Sequence, residues 1–87
     1  MPKLILYVRS GCQFCAKALN KLTELSLPFE ERNIGEEAHR AELIEKGGKQ
    51  QVPYLIDETA GVSMYESDDI VNYLGTTYGM KVPAEAK

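Results

Sequence analysis

The two cysteines of the chain, Cys12 and Cys15, stand three residues apart in Ser10-Gly11-Cys12-Gln13-Phe14-Cys15. Two thiols at that spacing can ligate zinc, close a disulfide, pack as small hydrophobes or work as a redox couple. Zinc takes about four ligands. Besides these cysteines the chain has one histidine, His39, in a charged stretch. A disulfide across two residues removes little entropy from the unfolded chain, and a reducing compartment does not sustain structural disulfides. Buried thiols and a redox pair are left, and the element that carries the cysteines weighs between them.

Lys3–Val8 (KLILYV) is an apolar run of strand formers, and Ser10-Gly11 ends it. From Gln13 to Ser26 apolar residues recur at Phe14, Ala18, Leu22 and Leu25, the period of an amphipathic helix, and Pro28 follows. Cys12 therefore falls where strand gives way to helix, with Cys15 one turn on. Helix starts offer unpaired N–H groups and partial positive charge, and Cys-x-x-Cys thiols there reach pKa values of about 3.5–7. Arg9 and Lys17 are near enough in sequence to add to the effect. Cys15 is expected to face the core and be the less acidic thiol. That asymmetry makes Cys12 the attacking sulfur and Cys15 the resolving one. A pair opening the helix of a βαβ unit favours redox chemistry.

The remaining elements complete one small domain. Phe29–Ile34 reads as a second strand. Glu36–Lys46 reads as a surface helix with a thin stripe of Ala38, Ala41 and Ile44 with Leu43 beside it, stopped by Gly47-Gly48. Val52–Asp57 and Val62–Tyr65 read as a hairpin around the turn-like Asp57–Gly61. Ser67 is expected to cap a last helix carrying Ile70, Val71, Leu74 and Tyr78. The order β-α-β-α-β-β-α gives an α/β fold with a four-stranded mixed sheet and three helices, its first two strands parallel through a right-handed crossover. The domain is expected over residues 1–82, with a loose tail at 83–87.

The 87 residues carry a formal net charge of −3, which argues against nucleic-acid binding through a basic surface. No apolar run approaches the ~20 residues of a membrane span. The opening apolar run is too short for a secretory signal, so a cytoplasmic, mature-length protein is expected.

Three separated segments resemble the glutaredoxins of the thioredoxin-like superfamily. Arg9-Ser-Gly-Cys-Gln-Phe-Cys15 is similar to their active-site turn, Val52-Pro53 to their Thr-Val-Pro segment, and Ser67-Asp68-Asp69 to the run opening their last helix. The resemblance implies a glutathione-dependent thiol–disulfide oxidoreductase working through Cys12 and Cys15, with a cis Pro53 and no metal. It implies that the backbone of Val52 pairs with glutathione as an added strand. Ser67 and Asp68 would take the γ-glutamyl end, Arg9 and Gln51 would flank the glycyl end, and Phe14 would wall the sulfurs. The implied partners are glutathione and disulfide-bearing or glutathionylated proteins, met as a monomer.

Two departures qualify the likeness. Gln13 replaces the usual proline after the first cysteine, and Tyr65-Glu66 replaces a common Gly-Gly. Glu66-Ser67 followed by Ile70 and Tyr73-Leu74, with Val-Pro-Tyr-Leu, also looks like the glutathione site of glutathione transferase N-terminal domains, and Glu66 joins the binding set on that reading. A glutathione-ligated 2Fe–2S module bridged through Cys12 is a further alternative.

Overall fold

The computed structural model describes residues 3–79. The expected tail, 83–87, lies outside the described residues. Chain order is β1 (Leu4–Val8), α1 (Gln13–Glu24), β2 (Glu30–Asn33), α2 (Glu37–Gly47), β3 (Tyr54–Asp57), β4 (Val62–Met64) and α3 (Ser67–Leu74), continued by a π-helical turn, Gly75–Gly79. The sheet order is β2-β1-β3-β4. β1 runs parallel to β2, pairing Tyr7 with Arg32, and antiparallel to β3, pairing Tyr7 with Tyr54. β4 returns antiparallel along β3. This is the expected mixed sheet with three helices.

β1 is buried along its whole length because helices cover both faces of the sheet. Successive strand residues point to opposite faces. Leu4, Leu6 and Val8 meet Ala18 and Leu22 of α1, Leu55 of β3, and Ile70 and Leu74 of α3. Ile5 and Tyr7 turn the other way, toward Ile34, Leu43 and Tyr54. A continuous apolar strand such as LILYV is what a doubly covered position demands.

α2 departs from the expected stripe. Ala38 and Ala41 are exposed and Ile44 is 44% exposed, while Leu43 alone is buried. Polar contacts hold the rest of that face. Arg32 on β2 donates to Glu42 at 3.0 Å and to the Tyr7 hydroxyl at 3.1 Å, and His39 Nδ1 lies 3.0 Å from the Asn33 carbonyl oxygen. Alanine is at home in helices without burial, so its spacing misidentified the inward face.

Other boundaries shift for local reasons. α1 ends two residues before the expected Ser26, which takes a positive φ of 56°. β3 begins at Tyr54 rather than Val52, since Pro53 has no N–H to give to a ladder. α2 stops at Gly47 and Gly48 caps it at φ 87°. Ser67 is the first residue of α3 rather than its cap; Glu66 occupies the cap at φ 42°.

The end of α3 is tied to the sheet by a buried carboxylate. Asp57, fully buried at the end of β3, accepts from the Tyr73 hydroxyl at 2.7 Å, from the Tyr78 hydroxyl, and from the Ala60 N–H at 3.3 Å. Burial opposes its ionisation. The tyrosine hydroxyls and the backbone N–H groups of Ala60 and Thr59 outweigh that, and the carboxyl sits below its usual range.

Candidate functional site

The loop after β1 delivers Cys12 to the start of α1. Gly11 takes φ 76°, and the Cys12 N–H donates back to the Arg9 carbonyl at 3.2 Å. Cys12 is the N-cap of α1 in extended conformation, and its Sγ accepts the Cys15 N–H at 3.1 Å. A cap serine would use its oxygen in the same way. The residue is partly exposed at the helix start.

Cys15 lies one turn deeper, 2% exposed in the core beside Val8 and Ala18. Burial, with the nearby Cys12 sulfur, pushes its thiol up to about 12; the Arg9 backbone and charge pull the other way and do not prevail. The expected asymmetry between the two sulfurs is present on the Cys15 side. Iodoacetamide near neutral pH is expected to alkylate Cys12 and spare Cys15 in the native protein, and to label both in denaturant. Peptide mapping checks this, and earlier labelling of Cys15 would contradict it.

Seven of the expected site residues line one groove of about 300 Å³: Phe14, Gln51, Val52, Pro53, Glu66, Ser67 and Asp68. Phe14 is 60% exposed, so its helical position is not a core position; it walls the groove. The Val52–Pro53 bond is cis. Ser67 is 6% exposed at the first turn of α3, where N–H groups lack helical acceptors. Gln51 Nε2 donates to Glu66 Oε2 at 3.2 Å across the groove. The positive φ of Glu66 costs a non-glycine residue of order 1 kcal/mol, and such strain is found where a side chain must be held at a binding site.

Arg9 is not in that groove. It lines a second recess of about 440 Å³ with Ser10, Cys12, Gln13, Cys15 and Asn33. The recess and the groove adjoin at the start of α1, since Phe14 lines one and its neighbours Gln13 and Cys15 line the other. Cys12 lines the recess, and Phe14, two residues on, lines the groove.

Lys17 also takes a different place from the one its sequence position suggests. Its Nζ lies 3.3 Å from Asp68 Oδ1 and 5.9 Å from the Phe14 ring centroid, linking α1 to the start of α3. Both side chains are exposed, so the pair adds at most about 1 kcal/mol. Fifty-one residues separate them in sequence, and no local pattern announces the pairing. Among the described residues no group of three or more His, Cys, Asp or Glu side chains is arranged to hold a metal ion.

Sheet order, the helix-opening cysteine pair and the groove beside the cis proline define a thioredoxin-like domain. Residues 6–83 match the family described as glutathione S-transferase, N-terminal domain. The chain is 33% identical over 81 residues to the glutathione S-transferase GstB of Escherichia coli K12, covering 90% of this chain and 39% of that protein. A glutathione S-transferase from the Antarctic clam Laternula elliptica superposes with a TM-score of 0.76 at 30% identity, over 88% of this chain and 36% of that one. A glutathione transferase homologue of Drosophila mojavensis, solved with bound glutathione, gives 0.76 at 28% identity, over 91% and 36%.

This chain belongs to the glutathione S-transferase N-terminal domain family. It spans about two fifths of the length of the curated relatives it matches. The family is the one that Glu66-Ser67 and Val-Pro-Tyr-Leu resemble; the glutaredoxin likeness, centred on the cysteine turn, is not what these comparisons support.

Proposed function

We propose that the chain is the glutathione-binding domain of a transferase-family protein whose chemistry runs through Cys12, moving the glutathionyl group by thiol–disulfide exchange. The observation that carries this is the Cys12 sulfur at the α1 N-cap, accepting the Cys15 N–H at 3.1 Å beside the groove. In this reading glutathione lies along the groove. Ser67, Asp68 and the free N–H groups of α3 take its γ-glutamyl end. The Val52 backbone pairs with its cysteinyl part, and Gln51 lies toward the glycyl end.

The Cys12 thiolate attacks the glutathione-side sulfur of a glutathionylated substrate, the S–S bond breaks, and the substrate leaves as a thiolate that takes a proton. Cys12 then holds glutathione as a mixed disulfide. A second glutathione thiolate attacks that disulfide, releases glutathione disulfide and regenerates Cys12. Cys15 can resolve the same intermediate by displacing glutathione and closing Cys12–Cys15. Burial of Cys15 disfavours its thiolate at neutral pH. The route through a second glutathione therefore dominates there, and the Cys15 route gains as pH rises. Proteins bearing glutathionyl groups or disulfides are the proposed substrates.

The second reading is conjugation of glutathione to an electrophile, favoured by the family match and by the relatives' greater length. The two separate in parallel assays, one with a glutathionyl mixed disulfide and one with a chlorinated aromatic acceptor. Rapid deglutathionylation with weak conjugation is expected. Conjugation without disulfide reduction would favour the second reading.

A further inference from the structure

Tyr65 has no part in the chemistry above, yet two of the groove's walls meet through it. It follows β4 and precedes Glu66. Its hydroxyl donates to the Lys49 carbonyl at 2.9 Å and accepts the Lys49 N–H at 3.2 Å. One side chain thus holds both polar groups of one backbone residue and sets the peptide orientation on either side of it. The ring is itself fixed. Its centroid is 4.5 Å from that of Tyr54, which is buried and lies 6.0 Å from Tyr7. Lys49 Nζ sits 4.7 Å from the Tyr65 ring centroid.

Gly47 supports the same arrangement. A Cβ there would lie 2.0 Å from the Tyr65 hydroxyl oxygen and 2.7 Å from Cζ. In the Gly47-Gly48 pair, Gly48 is needed for its positive φ, whereas Gly47 is needed for the room that Tyr65 takes. Two residues beyond Lys49, Gln51 reaches Glu66, the neighbour of Tyr65. The segments at 49–51 and 65–66 are therefore joined twice, once through each of these pairs.

We propose that Tyr65 is a positioning residue that fixes the Lys49–Gln51 wall where the glycyl end of glutathione lies, and so sets selectivity for the tripeptide over γ-glutamylcysteine. This rests on the glutathione reading given above. Without the hydroxyl, Lys49 loses both backbone hydrogen bonds to Tyr65, and the exposed Gln51–Glu66 hydrogen bond still joins the two segments. The γ-glutamyl end, held at Ser67 and Asp68, is served by α3 and does not depend on Lys49.

Calorimetric titration of the whole chain with glutathione and with γ-glutamylcysteine tests this. Tyr65→Phe keeps the ring and its stacking. It is expected to raise the Kd for glutathione by about threefold to tenfold, the range of one or two lost hydrogen bonds, and to leave that for γ-glutamylcysteine unchanged. Gly47→Ala, which keeps the hydroxyl but removes its room, is expected to show the same selective loss. An unchanged glutathione Kd in Tyr65→Phe, or equal weakening of both ligands, would overturn the role. A wild-type chain that binds neither ligand would overturn the glutathione reading itself.

Discussion

Cys12→Ser is expected to lower turnover of a glutathionyl mixed disulfide by at least about a hundredfold, because a hydroxyl at neutral pH supplies almost no anion to attack sulfur. Serine is a good N-cap, so the variant keeps the hydrogen bond from Cys15 and folds normally. The loss is then chemical and not structural. Cys15→Ser is expected to retain activity on the same substrate within about threefold, since the second glutathione completes the cycle without it. It is also expected to lack the rise in protein-disulfide reduction that is expected of the wild type in alkali. Steady-state assays of both variants check this. Loss in Cys15→Ser with retention in Cys12→Ser would reverse the roles.

Asp57→Ala is expected to destabilise the domain by about 3 kcal/mol, the cost of removing a charged acceptor shared by several donors, and to lower Tm by roughly 12–24 °C for a domain of this size. Tyr73 and Tyr78 would lose the carboxylate that binds them to β3. The same group sets an acid limb. Its folded-state pKa is depressed, so its stabilisation is fully present above the unfolded value of about 3.9 and fades as pH falls through the lower folded value. Thermal melts against pH are expected to show the wild type losing stability below about pH 4. The Asp57→Asn variant should be less stable at neutral pH and should lack that part of the decline. Superimposable curves for the two proteins would contradict the assignment.

The framework was legible because local pattern and global demand agree in the first half of the chain. LILYV has the apolar continuity of a strand covered on both faces, and Ser10-Gly11 places Cys12 where a helix must start. The groove was legible through resemblance. Val52-Pro53 and Glu66-Ser67-Asp68 meet from distant parts of the chain, as implied, with Phe14 as a wall. Arg9 lines the recess beside Cys12 and not the groove, a placement that no local pattern in the sequence displays. Asp57 read as the end of a strand and the start of a turn, and its acceptor role stayed hidden because it depends on Tyr73 and Tyr78, sixteen and twenty-one residues on. Ser67 read as a cap because its residue type fits both the cap and the first turn. The conformation of Glu66 settles which it is, and the sequence does not display it. The cysteine turn pulled the family reading toward glutaredoxins, while the less conspicuous Glu66-Ser67 segment pointed to the family that matches.

In the proposed chemistry Cys12 carries glutathione as a mixed disulfide. The most direct test is the intact mass and peptide map of the Cys15→Ser chain after incubation with glutathione disulfide, where the Cys12 thiolate displaces one glutathione thiolate and keeps the other half. A single glutathionyl adduct on Cys12, released by added glutathione, is expected. A Cys12 that stays unmodified under those conditions would contradict it.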